Sequence, residues 1–142
     1  MVILDTNVIS EALKPRPDAN VLAWLAAQSA REMYITTITK AEILSGVELL
    51  PSGRAKIALR AGVTQAFDKF ADRVLALDDD AALAFPGIRA ARAKKGRPIG
   101  ELDGLIAAIA RSRGFAVATR DTRGFEYCGV ALINPWLDPS AE

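Results

Sequence analysis

Short apolar runs alternating with longer amphipathic segments constrain this chain more than any other feature. Two of the runs stop on an aspartate. Val2-Ile3-Leu4 leads into Asp5-Thr6-Asn7, and Phe115-Ala116-Val117-Ala118-Thr119 leads into Arg120-Asp121. Strands that alternate with helices tend to pair in parallel, because each helical crossover returns the chain to the same sheet edge. Two parallel strands of this kind would release Asp5 and Asp121 at the carboxyl edge, where α/β proteins keep their ligands.

Carried along the whole chain, the pattern predicts strands over residues 1–4, 32–36, 73–77, 115–119 and 130–133. Helices are expected over 7–13 and 19–28, then as an antiparallel pair over 39–50 and 54–71 joined at Pro51-Ser52-Gly53. A further helix starts at Asp78-Asp79-Asp80, where carboxylates suit the dipole. Pro86-Gly87 should kink it or split it in two. The segment 102–113 is apolar nearly all round and ends at Gly114, as a helix buried against a sheet would. The expectation is one three-layer α/β/α domain over residues 1–142, with a central, mostly parallel sheet of about five strands.

Composition removes several chemistries. The 142 residues contain no histidine, so a Ser-His-Asp triad, a His-activated cysteine and a paired-histidine ribonuclease mechanism are all excluded. One cysteine, Cys128, excludes an internal disulfide framework and a cysteine-clustered zinc site. A reducing, cytoplasmic setting is expected. No apolar stretch approaches the roughly 20 residues that span a bilayer, and Asp5 breaks the only early apolar run, so neither a membrane segment nor a signal peptide is expected. The 18 basic and 17 acidic residues nearly cancel, unlike a general nucleic-acid coat protein.

Two more acids, Glu42 and Asp103, stand at the starts of apolar-periodic segments. Each of the four acids has an ordinary explanation. Thr39-Lys40-Ala41-Glu42 fits a capping box, Asp103 could be a helix N-cap, and Asp5 and Asp121 could each cap the turn after a strand. Capping does not, however, require four acids to meet at one end of a sheet. Clustered carboxylates repel one another unless protonated or neutralised, and hard divalent ions such as Mg²⁺ or Mn²⁺ suit an all-oxygen site better than zinc. Neutralising four acids would leave 18 basic against 13 acidic residues, a balance compatible with a nucleic-acid substrate. Glu11, Glu48 and the 78–80 run read as surface positions.

Leu4-Asp5-Thr6-Asn7, Ala41-Glu42-Ile43, Asp103-Gly104-Leu105-Ile106-Ala107-Ala108 and Thr119-Arg120-Asp121 resemble the four acidic motifs of PIN-domain ribonucleases. Their order and spacing are similar to VapC-type toxins of bacterial toxin–antitoxin pairs, and Asn134-Pro135-Trp136 fits the FitB-like branch of that family. The resemblance implies a PIN fold and a Mg²⁺- or Mn²⁺-dependent endoribonuclease leaving a 5′-phosphate and a 3′-hydroxyl. It makes Asp5, Glu42, Asp103 and Asp121 the catalytic quartet and the metal ligands. Thr6 would orient a water or a carboxylate. Asn7, Thr119 and Arg120 fall on the substrate side, Thr119 also supporting the site from its strand end. A cognate antitoxin, itself holding operator DNA, is implied as the inhibiting partner, and similar toxins are homodimers.

A basic group, Arg89, Arg92, Lys94, Lys95 and Arg97, lies upstream of Asp103 and could hold phosphates or simply solvate a helix end. Trp24, Trp136, Tyr34 and Tyr127 are the candidates for stacking on bases, with Trp24 better suited to the core or an interface. Ile43, Leu44, Val47, Leu50, Ile57 and Val63 give the 39–71 helix pair more apolar surface than a small domain needs, which also points to a symmetric homodimer. Two rival functions remain open: a non-catalytic PIN module that serves antitoxin-bound DNA regulation, and a phosphotransferase with Asp5 as nucleophile.

Overall fold

The computed structural model describes residues 1–138; the last four residues of the expected 1–142 unit lie outside the described residues. Five strands, β1 (Val2–Leu4), β2 (Met33–Thr36), β3 (Val74–Leu75), β4 (Ala116–Ala118) and β5 (Leu132–Ile133), form one sheet in the order β3-β2-β1-β4-β5. Every neighbouring pair is parallel. Between them run α1 (Thr6–Ala12), α2 (Ala19–Ala27), α3 (Thr37–Glu48), α4 (Arg54–Lys69), α5 (Asp79–Lys94) and α6 (Glu101–Arg113). Among the described residues no helix is long and apolar enough to cross a membrane.

The side-chain alternation of β1 divides the core. Ile3 faces a cluster built on α5 and α6, with Ile88, Ile106, Ile109, Val117 and Phe125. Val2 and Leu4 face the opposite cluster, with Val8, Val21, Ile43, Val63 and Phe67 from α1 to α4. Both faces of the sheet are therefore covered, as an all-parallel sheet requires, and the three-layer expectation holds. In α6, Ile106 to Ala110 are all buried, and Gly114 closes the helix in the left-handed region at φ 68°.

The chain leaves β1 towards β2 and β3, then returns on the other side of β1 to lay down β4 and β5. That reversal puts the topological switch point between the carboxyl ends of β1 and β4, the place where open α/β sheets bind ligands. The register pairs Leu4 with Ala118, so Asp5 and Thr119 emerge side by side from the two central strands.

Three expectations are corrected. Residues 79–94 form one helix that continues through Pro86 and is not split in two. Pro86 and Ala82, whose carbonyl loses its usual partner, are both exposed, so water can satisfy what the ring removes. Glu11, expected on the surface, is buried and paired with Lys14 Nζ at 2.8 Å one turn on. The Thr39–Glu42 capping box does not form. Thr36 is the cap of α3, its Oγ1 accepting from the Thr39 amide at 3.1 Å. Glu42 thus sits deeper in the helix and is released from capping.

Candidate active site

Asp5 lies at the switch point and is 4% exposed. It does cap α1, its Oδ1 accepting from the Thr6 amide at 2.8 Å. Its Oδ2 accepts from Thr119 Oγ1, also at 2.8 Å. Burial pushes the Asp5 carboxyl up; the Thr119 and Thr6 hydrogen bonds pull it down, and the charges of Glu42 and Asp121 push it up again.

Thr119 is fully buried, which corrects its expected place on the substrate side. A hydroxyl has one proton to give and two lone pairs to receive, and all three are used. The proton goes to Asp5. The lone pairs receive Asn7 Nδ2 at 3.2 Å and the Asp121 amide at 3.1 Å. Asn7 in turn accepts the Arg120 amide on its Oδ1 at 3.3 Å. Its amide group therefore ties the start of α1 to the segment after β4, so it is engaged within the protein. Of the three residues expected to face substrate, Arg120 is exposed, with its guanidinium 5.4 Å from the Trp136 ring.

Thr6 bridges to α3. Its Oγ1 donates to Glu42 Oε1 at 2.9 Å and lies 3.1 Å from Thr39 Oγ1. With its one proton committed to the carboxylate, Thr6 receives the Thr39 proton, and Thr39 stands 3.4 Å from Thr36 Oγ1. Three threonines thus form a relay of hydroxyls that holds Glu42 towards Asp5. Sequence reasoning missed Thr36 and Thr39, although the run Thr36-Thr37-Ile38-Thr39 between an apolar strand and Glu42 is a visible signal.

Asp103 stands in the first turn of α6, where a carboxylate suits the helix dipole, but Gly100 holds the cap position. Burial, with the charges of Asp5 and Asp121, pushes its carboxyl up to about 6, while Arg92 opposes the shift. Asp121 is exposed, with its Oδ1 accepting from the Gly124 amide at 3.0 Å. A Cβ on Gly124 would come within 2.2 Å of Asp121 Oδ2, so the carboxylate lies directly against the glycine.

Arg92, expected either to hold a phosphate or to solvate a helix end, is instead buried at 5% exposure. Its Nη1 donates to the Arg123 and Glu126 carbonyls at 3.0 Å each. It therefore anchors the turn that follows Asp121 to α5. Of the other members of that basic group, Arg97 pairs with Glu126 and Arg89 lies over the Phe85 ring.

The structure thus brings Asp5, Glu42, Asp103 and Asp121 to one edge, close enough for their charges to act on one another. Among the described residues no three Asp, Glu, Cys or His side chains are gathered tightly enough to make a finished metal-ligand group. The four are electrostatic neighbours and not a formed cage. Their chemistry still fits a hard divalent cation: the donors are all oxygen, and each carboxylate oxygen has lone pairs beyond those its protein partners occupy.

The sequence is similar to the VapC ribonuclease Y4jK of Sinorhizobium fredii, 42% identical over 137 residues, covering 96% of this chain and 98% of the relative. It is equally similar to the toxin FitB of Neisseria gonorrhoeae, 42% identical over 139 residues, with 97% and 100% covered. Among solved structures, that of FitAB bound to an IR36 DNA fragment superposes over 100% of both chains with a TM-score of 0.92 and 40% identity. A family model for the PIN domain matches residues 2–129. With the motif order, the sheet topology and this similarity in agreement, the chain belongs to the PIN-domain family.

Proposed function

We propose that this protein is a metal-dependent endoribonuclease toxin of a toxin–antitoxin pair, hydrolysing RNA phosphodiesters at Asp5, Glu42, Asp103 and Asp121. The observation that carries the reading is Asp5: a carboxylate buried at the switch point, raised by burial and facing two further acids. Two hydrogen bonds offset part of the cost of burying this carboxylate, and a ligand that neutralises it would offset the rest. Mg²⁺ or Mn²⁺ meets that need. When bound, such an ion lowers the pKa of water and screens the charge of a phosphodiester, which answers how a chain without histidine can hydrolyse RNA at neutral pH.

The residues of the chain do the positioning. Asp5 and Asp103 would be the principal ligands. Thr119 fixes one oxygen of Asp5, and the Thr6 amide fixes the other. The Thr6 hydroxyl holds Glu42, and Gly124 holds Asp121. Arg120 lies on the outside of the same edge, where it can meet the phosphate strand.

The partners follow from the same site. The similar FitB is described in complex with FitA and DNA, and here a groove of about 480 Å³ leaves the cluster at Thr6 and Glu42 and runs between Leu13, Ile43, Val47 and Leu59. An extended antitoxin segment fits such a groove, with a basic side chain placed among the acids and the antitoxin holding operator DNA. Of the apolar residues on α3 and α4, Ile43, Val47 and Val63 are spent in the core, while Leu44 and Ile57 remain exposed. That exposed pair supports a symmetric homodimer. An intracellular RNA substrate supports a cytoplasmic setting.

Purified protein freed of antitoxin is expected to cut RNA with Mg²⁺ or Mn²⁺ and to stop with EDTA. Asp5→Asn and Asp103→Asn should each lower turnover at least about 100-fold while keeping the far-UV circular dichroism of the parent. Full turnover in both variants, or cleavage indifferent to EDTA, would overturn the reading.

A further inference from the structure

Tyr127 has a backbone φ of 64°, and among the described residues it is the non-glycine residue with a positive φ. For a bulky residue this left-handed conformation is strained. Glycine or asparagine would adopt it at less cost. Its neighbour Cys128 is buried, whereas Tyr127 is 50% exposed. The turn therefore holds an aromatic ring outward at a position that folding alone would give to a smaller residue. Lys95 Nζ lies 5.0 Å from the ring centroid and the Arg97 guanidinium 5.9 Å. Arg97 is also paired with Glu126, and Arg92 grips the Glu126 carbonyl from below. The ring thus stands on a fastened base.

The place of this cluster matters. The loop carrying Lys95 and Arg97 joins the end of α5 to the start of α6, where Asp103 lies. The segment carrying Tyr127 continues the turn that leaves β4 and contains Asp121. Arg92, near the end of α5, holds the Arg123 and Glu126 carbonyls just before Tyr127, and its charge reaches Asp103. An exposed aromatic ring flanked by cations beside a phosphodiester-cutting site has the chemistry of a platform for single-stranded nucleic acid, in which a base stacks on the ring and its phosphates meet the cations.

We propose that Tyr127, with Lys95 and Arg97 at its ring, is a subsite that stacks one unpaired base of the RNA strand next to the carboxylate cluster. The inference rests on the ribonuclease reading above for its ligand. It requires an unpaired nucleotide, because a base inside an A-form duplex has no free face to offer.

The test uses full-length Asp103→Asn protein, which should bind without cutting, and a fluorescently labelled single-stranded RNA read by anisotropy. Adding Tyr127→Gly should weaken binding about 5- to 100-fold, while raising the melting temperature through relief of the backbone strain. Tyr127→Phe, which keeps the ring, should bind as the parent does. Lys95→Ala should flatten the dependence of log Kd on log salt by about 0.7. A duplex RNA of the same length should show no such loss with Tyr127→Gly. Unchanged affinity in Tyr127→Gly, or equal loss on single strand and duplex, would overturn the subsite. If the wild-type chain meanwhile cuts RNA, the ribonuclease reading stands without it; absence of both cleavage and binding would overturn the two together.

Discussion

Thr119 shows how a buried hydroxyl can tie two distant stretches of chain to one oxygen. It gives its proton to Asp5 and receives Asn7 and the Asp121 amide, so the start of α1 and the exit from β4 are locked to one oxygen. Thr119→Val keeps the shape and removes that oxygen. Asp5 loses a donor, and the Asn7 and Asp121 donors lose their acceptor. Leaving such groups unpaired should lower stability by about 1–3 kcal/mol in urea unfolding. Activity should fall further than stability, and the acid limb of the pH–rate profile should move to higher pH, since the Thr119 hydrogen bond is what pulls the Asp5 carboxyl down. Thr119→Ser should recover both. A valine variant with the parent's stability and profile would contradict this role. Asp5 and Asp121 were legible in the sequence because an apolar run stops before each. The spending of Thr119 was not, because it depends on the β1–β4 register, which joins residues 114 apart.

Among elements, the type was legible and the ends were not. The periodicities located all six helices, yet α3 begins at Thr37 because Thr36 caps it, and this shift frees Glu42 from capping to accept from Thr6. A capping box and a strand-end threonine cap look alike in one dimension; the tertiary demand for Glu42 at Thr6 decides between them. Pro86 does not split its helix, since its effect depends on whether the freed carbonyl can reach water. The short 3₁₀ turn Arg123–Phe125 carries a sharper consequence. Its Gly124 leaves room for the Asp121 carboxylate, which a Cβ would meet at 2.2 Å. Gly124→Ala must therefore swing Asp121 away. Because Asp121 is exposed, unfolding free energy should change by no more than about 0.5 kcal/mol. Cleavage should fall about 10- to 100-fold from misplacement alone. Loss of fold in place of activity would show that the turn, and not the carboxylate, is what the glycine protects.

At the scale of the whole molecule, the acid edge is a region of stored repulsion that protons and divalent ions should relieve in competition. Alternating strands and helices made the parallel sheet legible, but the order β3-β2-β1-β4-β5 is a long-range outcome, and that order is what gathers the charges. Asp103 is pushed up to about 6 and Asp5 is raised as well. Between about pH 6 and the ordinary carboxylate range near 4, the folded protein holds a proton that the unfolded chain has released. Stability contributed by these groups should thus grow as pH falls through 6 and level off near 4. Asp103 is only half-buried, so solvent screening will reduce the size of the effect but not its sign. Metal-free protein should therefore melt higher at pH 5 than at pH 7.5, and Asp103→Asn should remove most of that difference by melting higher at pH 7.5. Manganese at about 100 times its Kd should stabilise the parent by about 2.7 kcal/mol at pH 7.5, and less as protons compete below pH 6. The doubly substituted Asp5→Asn, Asp103→Asn protein should not respond. A melting temperature that ignores manganese at pH 7.5, or that Asp103→Asn lowers, would mean the four acids are stabilised by their protein neighbours alone.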